Sequence, residues 1–459
     1  MRHWFDRIAV TSFVFGLILI GFLIGAASAY FEWNAFAVVG RIFSGGEALY
    51  HKQLDPKLES PSLDIRWPGY PKALVNRAVE VVHGSDGFVL LAATQANQVN
   101  RALLIEMQGK VRQAWRVDFA TLWPKAPHIA APSPTVFVGG MHVYPNRNLL
   151  VSFMGFGDTP YGYGLALLDK HSRPIWKVDK NIHHMFDVSR DGTIVALSQE
   201  IKRLDASVNR RFSAILSDSI DILTPDGTLD RSIDIQAAFA DTQFWHYLQD
   251  FPTDHSAPWD ISHANSVTVL DETIAPHFPM FPAGSLLVSI RNSSTIAVID
   301  PSTEKVVWAT RGPWRNQHSA SFLGNGNILL FDNLGGYHDG VVYSRVLEYN
   351  PRSNAVEWSY GDTPPYFLSP VRGQTQRLAN GNTLIVDAYG LAIFEVTPNG
   401  AVAWKYEWKH SPRLFSDGAP VTLRKSGIQS PGDLMKIVKD NNQMRFARWY
   451  EPHEVEFIQ

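Results

Sequence analysis

Three histidines occupy matching places in a repeating pattern, and two other polar residues fall beside them. His184 lies eight residues before the turn glycine Gly192, and His318 eight residues before Gly326. His263 opens the strand-like run HANSVTVL, whose following turn is replaced by a longer insertion, Asp271 to Gly284. Asn265 stands two residues on, so in an extended chain it shares the face of His263. Arg291 ends the next apolar run, SLLVSIRN. If equivalent places in the repeats meet, imidazoles, an amide and a guanidinium surround one hollow. A guanidinium fork with directed donors from Asn and His suits a tetrahedral oxyanion. An imidazole facing a sulfuryl or phosphoryl group can also act as a nucleophile. Two other uses compete. Three imidazoles and a water can hold zinc, although a guanidinium is badly placed beside a cation. A histidine ahead of a strand can also simply bond a turn aspartate. His183, next to His184, is expected to face the opposite side and pack. Asp332 and Asp387, near strand ends, are expected to orient turns or a histidine rather than act as acids.

The elements that must position these residues are short strands. HMFDVSRDGTIVALSQE at 184–200, HSASFLGNGNILLFDN at 318–333 and GQTQRLANGNTLIVD at 373–387 each read as strand, Gly/Asn turn and apolar β-branched strand. A third strand follows, then a fourth that ends in tryptophan: Trp308, Trp358 and Trp404, with weaker copies at Trp115 and Trp176. Four strands every 40–50 residues or so is the pattern of propeller blades. The expected fold is all-β, a six-bladed β-propeller, with blades at about 78–118, 136–179, 183–235, 263–310, 317–361 and 373–407. In a propeller the first strand of each blade lines the axis. The start of each first strand and the end of each second strand share one mouth, which is where His184, His263, His318 and Arg291 converge. The tryptophans read as core staples between blades. Trp259, Trp314 and Tyr337 are aromatic groups that either stack on a ligand near the mouth or, more often, pack.

The 459 residues carry 41 basic and 44 acidic side chains, a net charge of −3, which offers no basic field for nucleic acid. Without cysteine, thiolate catalysis, disulfides and iron–sulfur clusters are excluded. Ile8 to Ala29 is 22 residues with no formal charge, as a helix about 33 Å long and enough to cross a bilayer. Arg2 and Arg7 precede it, so positive-inside logic exports the rest of the chain. The expectation is a single-pass inner-membrane anchor with the propeller in the periplasm. The competing reading is a signal sequence cleaved near Ala27-Ser28-Ala29. The expected organisation is 1–30 as anchor, 31–77 as a linker that braces or closes the ring, 78–408 as propeller and 409–459 as an extension packed on it. Within that extension, Gly432 to Asn442 reads as a short helix.

The blades resemble those of the bacterial arylsulfate sulfotransferase family. The resemblance is carried by HHMFDV at 183–188, HANSV at 263–267, IRNSSTIAVID at 290–300, NQHSASFLGNGNILLFDN at 316–333, QRLANGNTLIVD at 376–387 and IFEVTPNGAVAWKYEW at 393–408. The GNGN turns are generic; the His, His-x-Asn, Arg and Gln-His set is specific. The resemblance implies a periplasmic propeller that needs no cofactor or metal. It would move a sulfuryl group from an aryl sulfate to a phenolic or other hydroxyl acceptor, by ping-pong kinetics. It further implies that His318 is the nucleophile, forming a sulfohistidine. His184, His263, Asn265 and Arg291 would hold the sulfate oxygens, with Thr375 as a further contact. The chain departs from the family in its lack of cysteine and its persistent anchor. Two readings of another class stand beside this one. A non-catalytic membrane-anchored propeller would scaffold a complex or bind an exported polysaccharide. A quinone-dependent dehydrogenase would need a calcium-ligating acidic cluster and repeated docking motifs, which are not apparent.

Overall fold

The computed structural model describes residues 80–81, 85–94, 101–129, 136–155, 158–203, 214–249, 259–338, 341–390, 392–407 and 443–458. The proposed anchor at 8–29, the linker at 31–77 and the helix at 432–442 lie outside them. Among the described residues no helix is long and apolar enough to cross a membrane.

The described strands form six antiparallel sheets, five of four strands and one of five. Their innermost strands touch in cyclic order, so the sheets are the six blades of a closed propeller. From the axis outward, blade 2 runs Val136–Val143, Leu149–Gly155, Gly162–Leu168 and Pro174–Val178. Blade 3 runs Ile182–Val188, Ile194–Arg203, Ala214–Leu223 and Leu229–Asp234. Blade 4 is Ala264–Val269, Leu286–Ile290, Thr295–Asp300 and Lys305–Thr310. Blade 5 is His318–Phe322, Ile328–His338, Val341–Asn350 and Ala355–Tyr360. Blade 6 is Gln374–Arg377, Thr383–Asp387, Ala392–Val396 and Val402–Glu407.

The sequence explains why sheets stack in this way. The second strands read as continuous apolar runs because each is buried on both faces. In blade 5, Ile328 and Leu330 pack toward blade 4 with Phe278 and Phe281 of the 271–284 insertion. Leu329 and Phe331 pack toward blade 6 with Ile385 and Phe394. Six such apolar clusters, one at each blade interface, make up the core among the described residues. Three of the tryptophans hydrogen-bond across an interface as well as packing. The indoles of Trp115, Trp358 and Trp404 donate to Arg147 O, Pro398 O and Met107 O at 3.1, 2.7 and 2.6 Å, each on the next blade. The repeated turns close alike: Gly326 and Gly381 adopt φ of 85° and 86°, where a side chain would be strained.

Blade 1 corrects the reading of 78–118 as one local repeat. Its second to fourth strands are Phe88–Thr94, Arg101–Glu106 and Val111–Arg116, but its innermost strand is Gln443–Tyr450. That strand pairs along the whole of Phe88–Thr94. Glu80–Val81 instead adds a fifth, outer strand to blade 6, with Glu80 opposite Lys405. Segments from before and after the repeats therefore take part in closing the ring. The physical reason is that the strand edge left open beside Phe88 must be paired, and only the far end of the chain supplies the partner.

Candidate active site

Near one end of the axis, His184, His263, His318 and Arg291 lie close to one another. His184 and His263 meet with ring centroids 5.2 Å apart and planes at 71°. Tyr161 packs against both, at 5.4 and 5.1 Å. His318 lies within charge–charge reach of His184 and His263, and Arg291 within reach of His318. Strand geometry alone would not aim these rings together. Each of the three first strands that bring in a histidine has a shift of register near its start, at Ala196/Leu197 opposite His183, at Ala264/Ser266 and at His318/Ser321. His184, His263 and Ser319 carry φ of 52°, 46° and 56°. A left-handed backbone at a non-glycine residue costs on the order of 1–3 kcal/mol and is retained at sites that need it. Blade 2 makes room for this bend: a Cβ on Gly139 would stand 2.8 Å from His184 O. Ser152 Oγ donates to that same carbonyl at 2.8 Å.

His318 is 5% exposed and its tautomer is fixed. Nδ1 approaches Asn333 Oδ1 at 2.8 Å and Asn316 O at 3.1 Å, and both can only accept. The amide of Asn333 cannot be turned around, because its Nδ2 donates to Ser369 O at 2.7 Å and to Arg372 O. Nδ1 therefore carries the hydrogen and Nε2 the lone pair. Burial and then the charge of Arg291 push the His318 imidazolium down to about 3, so the ring is neutral at physiological pH.

His263 is braced from behind by Asp260, whose Oδ2 lies 2.5 Å from Nδ1. Arg291 Nη1 donates to Asn292 Oδ1 at 2.9 Å, and Asn292 in turn donates to Asp260 O at 2.5 Å. Asn265 is buried; one Nδ2 hydrogen goes to Gln317 O at 2.8 Å, tying it to the residue before the His318 ring. Thr375 is placed lower. It is 7% exposed, its Oγ1 is buried without a hydrogen-bond partner, and it lines an axial cavity of about 270 Å³ with Met185, Thr268 and Ser319. Met185 and Ser319 directly follow His184 and His318, so the histidines stand at the end of this cavity.

His183 does not simply pack on the opposite face. The register shift beside it breaks the alternation, and its Nδ1 lies 2.8 Å from His184 Nδ1. Further residues escaped the sequence reading. Tyr161 and Tyr389 both lie between the second and third strands of their blades, at the slot that also holds Arg291. That shared slot was a usable signal. Burial, then the charges of Asp260 and Asp218, hold the Tyr161 phenol well above its ordinary value. Burial pushes Tyr389 up to about 12, against the opposing pull of Arg372 and Arg291. Arg372, at φ 69°, stacks 4.6 Å over Phe137, and burial brings it down to about 10, still charged at neutral pH. Asp260 had no legible signal, because its role comes only from the fold.

Of the three aromatic residues near the mouth, Trp314 alone is a packing residue. Trp314 is buried, donates to Ser294 O at 2.9 Å and meets the Tyr349 ring edge-on, whereas Trp259 and Tyr337 are exposed. Asp332 holds Arg345 at 2.7 Å and the Arg315 amide at 2.9 Å, and Asp387 accepts from Gly390 N at 2.8 Å, so both organise turns. Among the described residues no group of three or more His, Cys, Asp and Glu side chains is arranged to hold a metal ion.

A search among curated proteins finds no match. Among solved structures, a Bacteroides caccae protein of unknown function is 12% identical, covering 73% of this chain and 97% of its own, with a TM-score of 0.45. A streptogramin B lyase is 12% identical over 75% of this chain and 91% of its own, with a TM-score of 0.39. The Staphylococcus aureus virginiamycin B lyase is 10% identical over 59% and 69%, with a TM-score of 0.34. Likeness at this level carries nothing over to the activity of this chain. The family model described as Arylsulfotransferase (ASST), by contrast, matches residues 140–409 and takes in blades 2 to 6 with all of the predicted site residues, so the chain belongs to the arylsulfotransferase family.

Proposed function

We propose that this protein transfers a sulfuryl group from an aryl sulfate to a phenolic or other hydroxyl acceptor, without a nucleotide, through a sulfohistidine at His318. Membership of the family supports arylsulfotransferase activity in general. The observation that carries the finer reading is the fixed tautomer of His318. Its Nδ1 is held by Asn333 and Asn316, which leaves a neutral ring with the Nε2 lone pair for attack. A non-catalytic scaffold has no need of such an imidazole.

In the first displacement, Nε2 of His318 attacks sulfur in line and the aryl oxygen leaves. In the second, the acceptor oxygen attacks the same sulfur and His318 is released. Arg291 supplies positive charge and the second Nδ2 hydrogen of Asn265 a directed donor for the sulfuryl oxygens, with His263 held in place beside them by Asp260. His184 completes the ring of imidazoles, and Thr375 offers its hydroxyl from below. A single well-placed donor of this kind is worth about 10²–10³ in rate. We place the propeller in the periplasm, held at the inner membrane by residues 8–29, on the strength of the apolar run and its flanking arginines.

The test is transfer from 4-nitrophenyl sulfate to phenol by the purified protein, followed by nitrophenol release. Wild type is expected to turn over, and His318→Ala to lose transfer while keeping the fold. Full activity in His318→Ala would remove His318 as the nucleophile.

A further inference from the structure

Behind His184 stands a second pair of buried groups that the transfer scheme does not use. His183 is 0% exposed, and so is Asp218, which projects from the third strand of the same blade. His183 Nε2 lies 3.4 Å from Asp218 Oδ1, and His183 Nδ1 lies 2.8 Å from His184 Nδ1. Asp218 also accepts from Gln199 Nε2 at 3.0 Å, Ser262 Oγ at 2.6 Å and Ala264 N at 2.7 Å. A carboxyl group surrounded by donors is ionised. Burial pushes Asp218 up, but His183 and these donors outweigh it and hold it below its ordinary value.

The direction of each hydrogen follows. His183 Nε2 meets Asp218 Oδ1 without hydrogen-bond geometry, yet a lone pair facing an ionised carboxylate at this range would be repelled, so the hydrogen of His183 belongs on Nε2. His183 Nδ1 then has only a lone pair, so the hydrogen between the two rings belongs to His184 Nδ1. His184 is left with its own lone pair on Nε2. Burial and the neighbouring His183, His263, His318 and Arg372 hold it neutral, well below its ordinary value. A neutral ring in this tautomer accepts a hydrogen and has none to donate to a sulfate oxygen.

We propose that His183 and Asp218 are positioning residues that present His184 Nε2 as the proton carrier between acceptor and leaving group; this rests on the transferase reading above. In the first displacement the S–N bond to His318 forms, and the S–O bond breaks with its electron pair on the aryl oxygen, which takes a proton that His184 Nε2 has first accepted from water. In the second the acceptor gives its hydroxyl proton to His184 Nε2 while its oxygen bonds to sulfur and the S–N pair returns to His318. His184 Nε2 then returns that proton to water, so donor ester and acceptor hydroxyl become phenol and new ester, and both histidines end unchanged. While His184 is protonated, Asp218 balances its charge through His183.

The test compares two donors, phenyl sulfate and 4-nitrophenyl sulfate, in wild type, His183→Leu and His183→Asn. A poor leaving group depends on protonation and a good one far less, so the loss in His183→Leu should be at least about tenfold larger with phenyl sulfate. His183→Asn, whose amide can bridge Asp218 and His184, should recover most of that difference. Equal losses with both donors would overturn the relay and leave the transferase reading standing; no turnover of either donor by wild type would overturn both. A measurement on unaltered protein guards against variants that fail to fold. Nitrogen-15 spectra of the histidines should show His184 protonated at Nδ1 and bare at Nε2, and the opposite tautomer there would sink the proposal.

Discussion

A neutral imidazole has two nitrogens with opposite roles, and the site turns on which one carries hydrogen. For His318 the answer comes from Asn333, fifteen residues along the chain in the middle of the neighbouring strand. Replacing Asn333 with Leu removes the acceptor and frees the tautomer. The expected result is a fall of about 100-fold in kcat with little change in KM, measured with 4-nitrophenyl sulfate. An equal rise in KM would mean that Asn333 serves binding instead. At this scale the sequence was partly legible. His184, His263, His318 and Arg291 declared themselves by occupying the same slot in different repeats. Asp218 and Asn333 did not, because a partner on another strand leaves no mark in spacing, and Asp260 did not, because it lies before the strand that His263 opens and matches no slot of the repeat.

The strands carry these residues through a device that periodicity hides. Turn glycines and double-sided apolar runs made the blades readable, since each turn needs positive φ and each second strand is buried on both faces. The register shifts at the starts of the first strands were not readable. They break the alternation of the strand and bring His183 into contact with His184 instead of onto the opposite face. The tryptophans that end the fourth strands act across blades, and Trp404 is the clearest, fully buried with its indole on Met107 O at 2.6 Å. Trp404→Ala is expected to cost about 3–5 kcal/mol, read as a lowered urea midpoint. A change below about 1 kcal/mol would contradict its role in joining blades 6 and 1.

Across the whole molecule the decisive feature is how the ring shuts. Gln443–Tyr450 is the inner strand of blade 1, and it also packs Phe446 and Tyr450 into the cluster between blades 1 and 2. No local repeat could reveal this, because the paired segments stand at opposite ends of the sequence. Ending the chain at residue 442 exposes the edge of Phe88–Thr94 and the apolar faces beside it. The truncated protein is expected to lose its cooperative thermal transition and to aggregate; a sharp transition at the wild-type temperature would contradict closure by this strand.

The most direct test of the account is to treat the protein with an aryl sulfate donor in the absence of acceptor and to weigh its peptides. A gain of one sulfuryl mass on the peptide containing His318, lost again when phenol is added, is the predicted result. An unlabelled His318 peptide, or a label held by another residue, would contradict transfer through this histidine.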